Sequence, residues 1–309
     1  MRAILHDRYG PPDVLRLADL PDPVPGPGAV LVRTEAASLN PVDRKIRSGL
    51  LQAFFPVTFP EIPGRDGAGV VEAVGPGGPA DLIGRRVCFV APRGMGTWAE
   101  RIAIDRKFVV PVPDELSTVD AAALALAGVS AWEPLAAWAP VGPGTRVLVQ
   151  GAAGGVGGLA VQIAKSRGAW VAGTCSARNA AHVRGLGADA VVAYDEARFE
   201  EALSDIDVVF DLIGGEVHDR SYRVLRRGGA MLGLVAAPVT DRGAAFGVTV
   251  TVKAVAPDAD KLAAVIALAV AGTIRADVGR TVLLARFREA VDAAEGPHAR
   301  GKTVLTFGG

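Results

Sequence analysis

Arg146–Arg178 reads RVLVQGAAGGVGGLAVQIAKSRGAWVAGTCSAR. Arg146–Gln150 is a short apolar run, which predicts a buried strand. Gly151–Gly158 is glycine-rich, and Leu159, Val161, Ile163 and Ala164 then sit among good helix formers up to Arg167–Gly168. Trp170–Thr174 is a second apolar run. Strand, tight turn, helix and strand in this order make the first unit of a dinucleotide-binding fold. Gly154 and Gly157 match the last two glycines of G-x-G-x-x-G, with Ala152 where the first would stand. Bare backbone at Gly154 and Gly155 can approach a pyrophosphate, with Val156 next to them in the same binding turn, Gly157 lets the helix pack on the strand, and the helix N-terminus offers free N–H groups.

The end of the second strand selects the cofactor. An NAD site places Asp or Glu there for the ribose hydroxyl. This chain has Thr174, Cys175, Ser176, Ala177, Arg178 and Asn179 instead. Ser176 and Arg178 suit a 2′-phosphate through a hydroxyl and a guanidinium fork, so NADPH is the expected cofactor.

Outward from this unit, 309 residues exceed the usual size of a single core, and two domains are expected. Short strand-like runs at Ala3–Leu5, Val30–Thr34, Val70–Val74, Arg86–Val90 and Arg101–Ile104 predict a β-rich domain over 1–118, with a short helix near Asp43–Ser48. From Thr118 the chain turns helical, capped by Ser117 or Thr118, and a second helical stretch is expected over Gly128–Ala139. Strands at Ala188–Tyr194, Val208–Leu212, Ala230–Leu234 and Gly247–Val252 alternate with helices at Asn179–Leu186, Arg198–Leu203 and Val217–Leu225. That alternation predicts a doubly wound parallel sheet over 119–256. Residues 257–309, with helices at Asp258–Ala271 and Phe287–Ala294 and a strand at Gly301–Phe307, are expected to rejoin the first domain.

Positive and negative side chains balance at 33 each, which argues against a nucleic-acid or anionic-membrane partner. The apolar stretch Leu262–Gly272 is too short to span a bilayer, and no signal peptide is expected from MRAILHDRYG. Cys88 and Cys175 form neither a disulfide framework nor a zinc cluster, and the four histidines are scattered, so a cytosolic protein is expected. Gly247–Val252 (GVTVTV) lacks the Lys, Glu or Pro that protects an edge strand. It predicts a homodimer formed by pairing with a second copy, the alternative being cover by Pro238–Ala245.

The segments YGPPDVL, PGPGAVLVRTEAASLNPVDRKIRSG, PGRDGAGVVEAVG, GTWAE, GAAGGVGGLAVQIAK, GADAVVAY and HARGKTVL, in this order, resemble the medium-chain dehydrogenase/reductase superfamily, most of all its zinc-free quinone oxidoreductase (zeta-crystallin-like) branch. The resemblance runs over essentially the whole chain. It implies a GroES-like β-rich catalytic domain beside the Rossmann domain. Zinc-dependent relatives carry Cys where Asn40 stands and a His-Glu pair where Arg65–Asp66 stands, so no catalytic zinc is expected here. The resemblance places Asn40 beside the nicotinamide, with Asp43 and Lys45 flanking the same cleft as candidate catalytic residues. Ser130 is implied on the nicotinamide side, Tyr194 at the adenosine end, and Ile213, Gly233 and Val235 at the strand ends where cofactor lies. Arg300 and Lys302 are expected to approach the phosphates. The tyrosine that many relatives carry after Gly49 is replaced by Leu50 and Leu51.

The expected function is NADPH-dependent hydride transfer to a quinone or an α,β-unsaturated carbonyl. The alternatives are an enoyl-thioester or polyketide enoyl reductase and a low-turnover NADPH-binding structural or regulatory protein.

Overall fold

The computed structural model describes residues 1–234, 239–296 and 300–308. The chain opens with β1 (Arg2–Leu5), β2 (Arg16–Asp19), β3 (Ala29–Ser38), α1 (Pro41–Arg47), β4 (Asp66–Val74), β5 (Arg86–Val90), β6 (Arg101–Asp105) and β7 (Val109–Pro111). After α2 (Thr118–Glu133) come β8 (Arg146–Val149), α3 (Gly155–Ser166), β9 (Trp170–Cys175), α4 (Ala180–Gly185) and β10 (Ala190–Ala193). Then follow α5 (Phe199–Ala202), β11 (Ile206–Asp211), α6 (Gly215–Ser221), β12 (Leu225–Gly233), α7 (Gly243–Phe246) and β13 (Thr249–Val252). The chain closes with α8 (Ala259–Val270), β14 (Val278–Leu283), α9 (Phe287–Glu295) and β15 (Lys302–Thr306).

Two compact units result, Met1–Ala127 with Ala256–Gly309, and Gly128–Val255. In the first, β14-β15-β3-β4-β5-β7 form a sheet with β6 also on β3, and β1 pairs with β2. All these pairings are antiparallel except β14 with β15. In the second, a wholly parallel sheet runs β10-β9-β8-β11-β12-β13. This is the doubly wound order, and it reverses direction between β8 and β11, where such sheets bind ligands. Its central strands are buried on both faces: Val147, Leu148 and Val149 of β8 are all fully buried, and Leu148, Ala172, Val209 and Met231 share one cluster with Tyr222 and Phe199.

The helical stretch after Thr118 differs from expectation. Gly128 does not break it. Instead α2 runs unbroken to Glu133, and Pro134–Trp138 continues as a π-type turn. Ala121–Ala125 are fully buried, so packing outweighs the helix penalty of one glycine. Ser117 caps α2, its Oγ accepting from the Asp120 N–H at 3.0 Å. Among the described residues, Thr118–Trp138 is the one stretch that meets the length and composition of a membrane span, and 67% of it is buried inside the protein, as a core helix would be.

Candidate functional sites

In the second unit the turn after β8 is held from beneath. Thr174 donates its hydroxyl proton to Gln150 Oε1 (2.7 Å) and accepts from the Gly151 N–H (3.1 Å), while the Ala152 N–H donates to the Thr174 carbonyl (2.8 Å). Gln150 Nε2 donates in turn to Ser221 Oγ at 3.1 Å. Thr174 therefore orients the turn rather than facing outward. Gly157 has no room for a side chain, since a Cβ would stand 2.2 Å from the Gly151 carbonyl oxygen. Gly154, the N-cap of α3, is different: a Cβ there would meet only that oxygen, at 3.4 Å. The protein's own packing does not require a glycine at Gly154, and the bare backbone ahead of α3 suits an incoming anionic group.

At the end of β9, Ser176 is buried and its Oγ accepts from Asn179 Nδ2 at 3.2 Å, while Arg178 is exposed in the turn Ala177–Asn179. An acid does reach this turn, though not from β9. Asp195, beyond β10, accepts from the Ala177 N–H at 2.9 Å. No motif in the sequence points to that contact, which follows from the parallel pairing of β9 with β10. Tyr194 beside it is exposed, and its N–H donates to the Cys175 carbonyl at 3.0 Å. Ile213 is exposed after β11, above a buried chain of polar groups. Asp211 accepts from the N–H groups of Ile213 and Gly214, both at 2.9 Å, and pairs with His218 Nδ1 at 2.8 Å. His218 Nε2 lies 3.3 Å from the Tyr222 hydroxyl, so this histidine is a structural strut. Gly233 ends β12 and Ser130 is buried in α2. Val235 and His298 lie outside the described residues.

In the first unit, the ends of β3, β4 and β15 bring a buried polar cluster together. Asp66, at the start of β4, is fully buried and accepts from Ser38 Oγ (2.8 Å), Asn40 Nδ2 (3.1 Å) and the Leu126 N–H (3.1 Å). Lys302 donates to the Leu39 carbonyl (2.9 Å) and to Asn40 Oδ1 (2.5 Å). The side chain of Asn40 is thus committed at both ends, its second amide hydrogen facing Ser38 Oγ at 3.3 Å. Asp43, in the first turn of α1, accepts from the Asn40 N–H at 2.8 Å through Oδ2, while its Oδ1 is buried without a partner. Burial first, and then the neighbouring Asp66, pushes the Asp43 carboxyl up to about 7. Burial also raises Asp66 and lowers Lys302 from their ordinary values. Lys45 on the same helix is half-buried, and that burial, followed by the neighbouring Arg44, lowers its ammonium.

One expectation changes here. Lys302, read as facing the phosphates, is buried against Asn40 because β15 pairs with β3 and carries it under the β3–α1 turn. Arg300 lies outside that cluster, ion-paired with Asp277 at 3.4 Å.

The Asp43 carboxyl sets a pH dependence. Asp66 on β4, Lys302 on β15, Arg65 and the Asn40 N–H all face it. Its folded value lies above the ordinary 3.8, so stability is fully present below about pH 4 and is lost as pH rises through about 7. Between pH 5 and 7.5 the wild type should lose on the order of 2 kcal/mol relative to Asp43→Asn, whose amide oxygen can still accept from Asn40. Urea unfolding at both pH values checks this, and parallel curves would refute it.

A family described as "Alcohol dehydrogenase GroES-like domain" matches residues 26–114, and one described as "Zinc-binding dehydrogenase" matches residues 186–305. The chain is 40% identical over 201 residues to a chloroplast envelope quinone oxidoreductase homolog of Arabidopsis thaliana, a match covering 63% of this chain and 61% of that relative. It is 36% identical over 259 residues to a chloroplastic NADPH-dependent alkenal/one oxidoreductase of the same plant, covering 81% of this chain and 66% of that one. A solved quinone oxidoreductase from Coxiella burnetii is 31% identical, with a TM-score of 0.91 and 99% of each chain covered. The chain belongs to the quinone oxidoreductase family of the medium-chain dehydrogenase/reductases.

Within this family protein, zinc does not fit the residues at the corresponding positions. Asn40 is tied to a carboxylate and an ammonium, Arg65 is a permanent cation, and Lys302 lies 2.5 Å from the neutral oxygen Asn40 Oδ1. A divalent cation there would meet two positive charges and no thiolate or imidazole. Among the described residues, no group of three His, Cys, Asp or Glu is arranged to hold a metal.

Proposed function

We propose that this quinone oxidoreductase-family protein is a reductase that uses NADPH to transfer hydride to a quinone or an α,β-unsaturated carbonyl, without zinc. NADPH, when bound, supplies the hydride. Gly154, Gly155, Val156 and Gly157 with the N-terminus of α3 hold its pyrophosphate, Ser176 and Arg178 its 2′-phosphate, and Tyr194 its adenosine end. Ser130 faces its nicotinamide side, and Ile213 and Gly233 stand at the strand ends where the cofactor lies. The polar groups of the catalytic unit around Asn40, with Asp43 and Lys45, handle the carbonyl. The observation that carries this reading is the buried cluster of Asn40, Asp43, Asp66 and Lys302, which puts fixed charges and hydrogen bonds where zinc-dependent relatives put ligands. The plant relatives' names, quinone oxidoreductase homolog and alkenal/one oxidoreductase, support the substrate class. Oxidation of NADPH followed with a panel of quinones, enals and enoyl thioesters tests it. Turnover of quinones or enals supports the reading, and turnover confined to thioesters, or none, overturns it.

Cofactor choice is tested separately. Arg178→Ala removes a charge-assisted contact at a partly exposed site, which costs about 1.5–3 kcal/mol. NADPH binding should weaken about tenfold or more while NADH binding barely changes. Equal affinity of the wild type for both cofactors would refute the assignment.

The same reading extends to a homodimer in the cytosol. Among the described residues β13 pairs only with β12, and its residues are half-buried or exposed. Antiparallel pairing of this edge with a second copy satisfies its free ladder about a two-fold axis. Thr249→Pro should remove ladder bonds and shift the species toward monomer in light scattering. A wild type that is monomeric at micromolar concentration would sink the dimer.

A further inference from the structure

Arg65 is a buried cation whose structural work occupies only part of it. It is 8% exposed and precedes β4. Its Nε and Nη2 both donate to one acceptor, the Ala91 carbonyl, at 3.2 and 3.0 Å. The backbone already ties the same two residues together, the Ala91 N–H donating to the Arg65 carbonyl at 2.7 Å. Among the described residues Nη1 has neither a hydrogen bond nor an ion pair. Burying a guanidinium is expensive, and a single shared carbonyl does not offset that. Burial lowers its pKa, while Asp43, Asp66 and Glu61 support the charge and Arg93 opposes it. Asp66, the next residue, is hydrogen-bonded to Asn40. Both amide hydrogens of Asn40 already face acceptors of the protein, Asp66 Oδ1 and Ser38 Oγ.

We propose that Arg65 is the electrophilic residue of the reaction, its unpartnered Nη1 hydrogen-bonding the carbonyl oxygen of the quinone or enone and holding the negative charge that develops there. The inference rests on the reductase reading above. As the hydride arrives, a C–H bond forms at the β-carbon of an enone. The C=C electron pair moves toward the carbonyl carbon, the C=O π pair moves onto oxygen, and an enolate results. The guanidinium keeps its protons throughout, and water protonates the α-carbon to complete the saturated ketone. A preorganised, desolvated donor at the oxygen that becomes anionic is worth far more than the same contact in water.

Arg65→Met should lower kcat/KM for the best quinone or enone by about a hundredfold, while NADPH affinity, read by fluorescence, stays within about twofold. Arg65→Lys keeps a cation without the planar fork and should recover about tenfold of the loss. In the presence of saturating NADP, wild type should bind 4-nitrophenolate at least about tenfold more tightly than its neutral counterpart nitrobenzene, and Arg65→Met should lose that preference. A folded Arg65→Met with kcat/KM within about threefold of wild type would overturn the proposal. An unchanged nitrophenolate preference in Arg65→Met would do the same. Should Arg65→Met not fold, a wild type that binds the two probes equally overturns it. Failure of the wild type to oxidise NADPH with any substrate would count against the reductase reading instead, and the probe comparison would still report on Arg65 alone.

Discussion

Replacing Gly157 by valine should lower NADPH affinity by at least about a hundredfold and reduce stability by about 1–3 kcal/mol. A Cβ at this position would stand 2.2 Å from the Gly151 carbonyl oxygen and 2.9 Å from Ala152 Cα. Both are backbone atoms, so no side chain can swing aside. Either α3 lifts from the sheet or the turn after β8 opens, and the turn is already fixed from below by Thr174 and Gln150. Gly154→Ala provides the matched comparison. Its Cβ would meet only one atom, at an ordinary 3.4 Å, so folding should be nearly unaffected while a ligand loses its close approach to the backbone. Thermal unfolding and cofactor titration of the two variants separate packing from binding. Equal cofactor affinity for wild type and Gly157→Val would contradict this role for the turn.

Asp66→Ala should destabilise the catalytic unit by about 3–5 kcal/mol, because it strips countercharge from a buried ammonium and guanidinium. It also removes an acceptor shared by three donors at once: Ser38 Oγ, Asn40 Nδ2 and the Leu126 N–H. Each buried donor left unpaired costs about 1–3 kcal/mol. An exposed pair such as Arg286–Glu289, 65% and 40% exposed, should contribute far less by contrast, because water screens it. Urea unfolding of Asp66→Ala and Glu289→Ala measures the difference. A loss below about 1 kcal/mol for Asp66→Ala would mean that the cluster is not electrostatically coupled.

The parts of this fold legible in the sequence are the local ones. Strand, glycine turn and helix from Arg146 onward are written within one stretch, and β8, α3 and β9 form where the apolar periodicity places them. β5 coincides with its apolar run at Arg86–Val90. β2, β7 and β14 are not announced. β2 buries no residue fully, β7 is three residues long, and β14 is largely exposed at the edge of its sheet, so none carries an alternating pattern. Leu225 reads as the end of a helix but begins β12, because α6 ends at Ser221.

The candidate site divides the same way. Gly154, Gly157, Ser176 and Arg178 can be read from neighbours in sequence. The cluster around Asn40 cannot, since Lys302 reaches it only through the pairing of β15 with β3, more than 260 positions away. For the same reason Arg65 reads in sequence as the absence of a zinc ligand, and only its burial and its unpartnered Nη1 mark it as a residue with chemistry of its own.

The most direct test follows the hydride itself. An enone is reduced with NADPH carrying deuterium at C4, each face labelled in turn, and the product is analysed by mass spectrometry and NMR. Direct transfer predicts that one labelled face delivers its deuterium to the β-carbon and that the α-hydrogen comes from water. Product without label from either face, or no product from any quinone or enone, would contradict it.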